Sequence, residues 1–227
     1  MGFFITLEGP EGSGKSTQAR LLAEYLRGEC GEDVLSTREP GGTEIGDQVR
    51  EVLHAHRNVA MTAEAELLLY NAARAQLVAE VIRPALAANR IVLSDRYADS
   101  TLAYQGYGRG LDLPAVRQVI ELATGGLKPD LTFLVDVTVD EGLARRNSGR
   151  QRGEEFNRMD SLSCEFYERV RAGYLELMRE EPQRWVRIEG TREVEQVQEE
   201  LRRQVDYALE QFHRTHRLAH GGHPETH

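Results

Sequence analysis

Gly9-Pro10-Glu11-Gly12-Ser13-Gly14-Lys15-Ser16, close to the start of the chain, decides how the rest is read. It fits G-x-x-x-x-G-K-[ST], the loop that cradles nucleotide phosphates. Phe3-Phe4-Ile5-Thr6-Leu7 before it reads as a short buried strand, and Ser16 to Arg27 after it puts Ala19, Leu22, Ala23 and Leu26 on one helical face. Strand, glycine turn and helix are the setting this motif needs. Glycines let successive N–H groups point inward, and the helix N-terminus adds partial positive charge. Lys15 then reaches the β- and γ-phosphates, and the Ser16 hydroxyl sits on Mg²⁺. A glycine-rich turn that binds nothing accounts poorly for the full eight-residue match. The stretch is read as a nucleoside-triphosphate site.

Working outward, strand-like runs recur at 3–9, 33–37, 90–95, 131–137 and 185–189, separated by helix-length segments. This alternation predicts an α/β fold: a five-stranded parallel sheet covered by helices on both faces, with ligands at the carboxyl ends of the strands. No internal repeat or low-complexity linker divides the chain, and 227 residues suit a single domain, taken as 1–213. The remaining stretch, 214–227, is polar and holds four of the seven histidines, so it is expected to be a disordered tail and not a metal site. A net charge of −9 argues against a nucleic-acid partner. No apolar run approaches a membrane span, and the opening residues lack the regions of a signal peptide. Cys30 and Cys164 lack metal-ligand spacing and read as free thiols of a cytoplasmic protein.

After the second strand, Thr37-Arg38-Glu39-Pro40-Gly41-Gly42-Thr43 marks a sharp turn with Thr43 capping the next helix. Arg38 and Glu39 thus stand at a strand's carboxyl end, and Arg50 follows on that helix, although each alone also fits a surface charge. Thr62 to Asn89 is helical, with Pro84 kinking it or starting a new segment. Tyr70 and Arg74, at i and i+4, share a face that suits a planar base, or else a core tyrosine with a snorkelling arginine. Ile91-Val92-Leu93-Ser94-Asp95 ends in an acid followed at once by Arg96. Asp95 is preferred over Asp136, which also ends a strand, as the metal-side carboxylate. Tyr97 to Gly110 reads as a long functional loop. The arginine-dense run Arg145 to Arg158 is either a solvated face or a flap that closes on the transferring phosphoryl group. The helix from Ser161 to Arg179 and Trp185 read as core or interface.

Thr37-Arg38-Glu39-Pro40-Gly41-Gly42-Thr43, Asp95-Arg96-Tyr97 and Ala103-Tyr104-Gln105-Gly106, added to the glycine loop in that order, resemble the bacterial thymidylate kinases from Phe3 to about Phe212. The resemblance implies a P-loop NTPase fold with an arginine-rich lid, about 147–159. It implies transfer of the γ-phosphoryl of ATP to dTMP, giving dTDP for dTTP biosynthesis, with Mg²⁺, in a cytoplasmic homodimer. It assigns ATP to Gly9, Pro10, Glu11, Gly12, Ser13, Gly14, Lys15, Ser16 and Thr17, and the metal to Ser16 and Asp95. It assigns dTMP to Glu11, Arg38, Glu39, Arg50, Tyr70, Arg74, Arg96, Thr101, Tyr104 and Gln105. Within that set, Arg38, Arg50 and Arg96 take the acceptor phosphate, and Tyr70 stacks on thymine. Arg74 reads the base edge, with Thr101 and Gln105 as further pyrimidine contacts, and Tyr104 crowds the sugar 2′ position. Gly12 stands where one subgroup of the family carries a P-loop arginine. In the other subgroup the catalytic arginine lies in the lid, which leaves Arg150 and Arg152 as candidates beside Lys15 and Arg96. The rival readings are a kinase for another pyrimidine nucleotide and a GTPase-like switch. The switch would need N-K-x-D and D-x-x-G motifs, and the chain has neither.

Overall fold

Five parallel strands make one sheet in the order β2-β3-β1-β4-β5: β1 Phe3–Glu8, β2 Val34–Arg38, β3 Ile91–Asp95, β4 Leu131–Asp136 and β5 Trp185–Glu189. The computed structural model describes residues 2–151 and 158–220. Side chains alternate between the two faces of each strand. Ile5, Leu7, Leu93, Phe133 and Ile188 therefore pack on one face, under α1 (Lys15–Gly28) and α9 (Val194–His220), against Leu22, Leu26, Val197, Leu201 and Val205. On the other face Phe4 and Val92 meet Leu77, Ile82 and Tyr97. Leu134, also on that side, joins Leu102, Val116, Phe166, Val170 and Tyr174. The register sets Arg38 opposite Asp95, and Asp95 opposite Leu7, so the carboxyl ends of β2, β3 and β1 finish side by side.

The local signals explain most helix starts. Thr43 caps α2 (Glu44–His54), its hydroxyl accepting from the Gly46 N–H at 3.0 Å, and Thr62 caps α3 (Ala63–Leu77) likewise. The helix expected over 62–89 divides: α3 passes into a π-helical stretch, Val78–Ile82, before α4 (Arg83–Ala87). Pro84 sits in the first turn of α4, directly after the π-helical stretch.

The expected loop Tyr97 to Gly110 is corrected by the structure, in which Ala98 to Gly108 is helical and only the ends are not. α5 (Ala98–Thr101) continues as a π-helical stretch, Leu102–Gly108. Its glycines serve close packing, not looseness. A Cβ at Gly106 would lie 2.6 Å from Leu113 Cδ2, and one at Gly108 would lie 2.7 Å from Phe166 Cε2. Those contacts come from α6 (Leu113–Thr124) and α8 (Cys164–Glu180).

α7 (Val139–Gln151) runs into the arginine-rich segment, so much of the expected lid, Arg152 included, and the side chain of Arg150 lie outside the described residues. α9 extends to His220, past Thr215 where composition predicts fraying, and 221–227 lie outside the described residues. Cys30 and Cys164 are free and exposed. Among the described residues no helix is long and apolar enough to cross a membrane.

Glu8 ends β1 fully buried. Its carboxylate accepts from Tyr97 N–H at 2.8 Å, Ser100 Oγ at 2.5 Å and the Tyr174 hydroxyl at 3.1 Å. Burial and the charge of Asp99 nonetheless raise its pKa from 4.5 to about 7. The native state then holds a proton that the unfolded chain has released, so stability attributable to Glu8 falls as pH rises between those values. Relative to wild type, Glu8→Gln gains on the order of 1–3 kcal/mol from about pH 5 to about pH 8 in urea unfolding, whereas a pH-independent difference contradicts the raised pKa. Phe133, with no exposure at the centre of the sheet, should cost roughly 3–5 kcal/mol on replacement by alanine, read from the same transitions.

Candidate active site

The glycine loop joins β1 to α1. Gly9, Gly12 and Gly14 take φ of +147°, +71° and +88°, values that disfavour side chains. A Cβ at Gly9 would also strike the Val135 carbonyl, and one at Gly12 the Gly142 carbonyl at the start of α7. Any side chain at position 12, arginine included, has no room here. Lys15 is buried and bends back over the loop, donating to the Pro10 carbonyl at 2.8 Å and to Ser13 Oγ at 3.2 Å. Burial, and then the charge of Arg96, push its pKa down to about 8. Ser16 donates to Asp95 Oδ2 across the gap between α1 and β3. Thr17 is exposed on the first turn of α1.

Beside the loop, over the carboxyl ends of the strands, lies a cavity of about 340 Å³. Glu11, Lys15, Ser16, Arg38, Glu39, Arg50, Tyr70, Arg74, Asp95, Arg96, Thr101, Tyr104 and Gln105, all singled out from the sequence, line it. Arg96 is the hub. One nitrogen donates to the Gly9 carbonyl, Ser100 Oγ and the Tyr174 hydroxyl, each at 3.1 Å. The other donates to Glu11 Oε1 at 2.8 Å and to the Tyr104 hydroxyl at 3.1 Å. Its guanidinium also lies 4.9 Å from the centre of the Tyr104 ring. Burial would raise the Glu11 pKa, but Arg96 and Lys15 outweigh it and hold Glu11 down at about 2. On α2, Arg50 donates to the Pro40 carbonyl at 2.9 Å.

The two strand-ending acids part company. Asp95 meets Ser16, whereas Asp136 is gripped by Arg171 at 2.7 and 2.9 Å and by Arg187 at 2.6 and 3.0 Å, away from the cavity. Arg74 is buried, and its N–H groups meet Glu39 Oε2 twice, Asn71 Oδ1, Thr101 Oγ1 and the Tyr97 carbonyl, at 2.6 to 3.1 Å. All the donors of a guanidinium are thereby engaged, so Arg74 reads a base edge only by sharing one. Its partner Glu39 has Oε1 buried and unpartnered. Burial raises the Glu39 pKa, and Arg74 opposes the rise.

Besides Pro40 of the turn, four further residues line the cavity that sequence reasoning did not assign to it, His54, Ser100, Arg146 and Met159. His54 lies four residues after Arg50 on α2, a spacing that puts both on one face. Burial and the Arg50 charge push its pKa down to about 4, so it is neutral near pH 7. Ser100 lay within the stretch expected to be a loop, and Arg146 within the arginine run. Met159 carries no chemical signal at all.

The arrangement is a phosphate cradle facing a second, arginine-lined anion pocket with an aromatic wall. It can bring two phosphorylated ligands together. The family model for thymidylate kinase matches residues 7–201. A thymidylate kinase of Roseiflexus sp. (strain RS-1) is 50% identical over 209 residues, covering 88% of this chain and 92% of the relative. One from Exiguobacterium sp. (strain ATCC BAA-1283 / AT1b) is 47% identical over 97% of this chain and 98% of its own length. The crystal structure of thymidylate kinase from Ehrlichia chaffeensis superposes with a TM-score of 0.73 at 35% identity, covering 90% of this chain and 98% of that one. By sequence and by fold, the chain belongs to the thymidylate kinase family.

Proposed function

We propose that this chain transfers the γ-phosphoryl group of ATP to dTMP, giving dTDP and ADP. The observation that carries this reading is the shared cavity in which Arg38, Arg50 and Arg96 face Lys15 of the glycine loop, with Tyr70 as a wall. A phosphate monoester is largely ionised near neutral pH, so the acceptor oxygen needs little general-base help. What opposes the reaction is the repulsion of two polyanions brought in line. Arg38 and Arg50 take the acceptor phosphate. Arg96 spans the junction between that phosphate and the loop, and Lys15 swings from the Pro10 carbonyl onto the donor phosphates.

Ser16 and Asp95 offer hard oxygen donors side by side, a fit for Mg²⁺, which shares its coordination between one or two protein oxygens, waters and phosphates. Held there, such an ion would supply positive charge against the charge that develops on the transferring phosphoryl group. Glu11, kept ionised beside Arg96, faces the sugar, and Tyr104 crowds its 2′ side. Tyr70 stacks on the base. Arg150 or Arg152 adds positive charge to the transferring group from the lid. A homodimer is supported by apolar side chains left on the surface, Ile45 and Val52 on α2, Leu68 on α3 and Leu122 on α6. A cytoplasmic setting accords with two free thiols.

In a coupled ADP-release assay with ATP and Mg²⁺, dTMP is expected to exceed other nucleoside monophosphates by a wide margin. Arg96→Ala and Lys15→Ala each lower turnover about 10³-fold or more with an unchanged circular dichroism spectrum. Near-normal turnover in either variant contradicts the roles of these two side chains in the transfer.

A further inference from the structure

Glu66 lies on α3, one turn before Tyr70, and has no solvent exposure. Its Oε1 accepts from Gln105 Nε2 at 2.8 Å and Arg109 Nε at 3.1 Å, and its Oε2 from Arg109 at 2.8 Å and Arg158 at 2.5 Å. Burial works to raise its pKa, but these donors outweigh burial and leave it below the ordinary value, so the carboxylate is ionised. An ionised carboxylate only accepts hydrogen bonds. The amide of Gln105 must therefore turn its NH₂ to Glu66, which leaves its carbonyl as the end that faces the cavity. Thr101 lines the same wall, and its hydroxyl oxygen already accepts from Arg74 at 2.9 Å, so its own hydrogen is available to donate. An acceptor thus stands beside a donor.

We infer that Glu66 is a specificity-determining positioning residue, which fixes the Gln105 amide so that the cavity accepts a ring N–H next to a ring carbonyl. A 4-oxopyrimidine such as thymine presents that pair at N3 and C4. A 4-aminopyrimidine presents the opposite pair, a bare ring nitrogen beside an amino group, and meets a mismatch at both partners. Buried polar groups left without partners are a strong basis for rejection. This selection rests on the dTMP reading, and it assigns the choice between oxo and amino rings to a carboxylate that does not touch the ligand.

The test compares kcat/KM for dTMP and dCMP in wild type, Glu66→Gln and Gln105→Leu. A glutamine at position 66 can donate as well as accept, so the Gln105 amide is free to turn over. The dTMP-to-dCMP ratio is expected to fall about tenfold or more in both variants, chiefly through a raised KM for dTMP, with kcat changed less. N3-methyl-dTMP, which lacks the ring N–H, should lose affinity strongly relative to dTMP in wild type and only weakly in Glu66→Gln. Equal losses for both substrates, with the ratio kept, mark Glu66 as merely structural and overturn the inference. Should Glu66→Gln fail to fold, an unchanged ratio in Gln105→Leu overturns it alone. A wild-type protein that phosphorylates neither nucleotide instead refutes the functional reading on which the inference stands.

Discussion

Arg96 reaches back to the carbonyl of Gly9 at 3.1 Å and forward to Glu11 at 2.8 Å, tying the glycine loop to the wall of the arginine-lined cavity. Its backbone takes φ +72°, unusual for a residue with a side chain. The turn is held by its N–H on the Leu7 carbonyl at 3.0 Å and by Ser94 Oγ on its own carbonyl at 2.7 Å. Such strain persists only where the surroundings over-determine it, and it is common at functional sites. Behind the guanidinium, Ser100 and Tyr174 are themselves held by the buried carboxylate of Glu8. In the proposed transfer, a guanidinium fixed in this way would not need to reorganise when the phosphoryl group arrives, which is where preorganised charge gains its advantage over water. The acidic partners Glu11 and Glu39 keep Arg96 and Arg74 compatible with burial, so an acidic molecule can carry a basic pocket.

The helical segment from Ala98 to Gly108 shows how closely fold and site are joined. Ser100, Thr101, Tyr104 and Gln105 line the cavity, while Gly106 and Gly108 admit Leu113 and Phe166 at the packed side. Its π-helical winding is of a kind often found where function outweighs regularity. Glu8 at one end and Glu66 at the other anchor its polar side chains from within the protein.

The parts legible in the sequence were those with a local physical signature. Strand periodicity located all five strands within a residue or two, and the glycine loop fixed its own strand–turn–helix setting. Thr43 and Pro84 announced the helix starts they make. Gly106 and Gly108 misled, because glycine serves both a turn and a tight packing contact, and only the tertiary neighbours tell the two apart. Asp95 and Asp136 both end strands, and in the sequence only the Arg96 that follows Asp95 favoured it. What separates them is Arg171 and Arg187, which lie 35 and 51 residues away from Asp136. The engagement of Arg74 and the shielding of Glu66 depend on contacts with residues as far apart as Glu39 and Arg158, beyond the reach of any local pattern.

A crystal structure of the protein with dTMP measures the central relation most directly. The arginine-lined cavity predicts the phosphate within hydrogen-bonding reach of Arg96, Arg38 and Arg50, the ring against Tyr70, and the Arg96 guanidinium still on the Gly9 carbonyl. A nucleotide seated elsewhere, or an Arg96 side chain swung away from the loop, would contradict it.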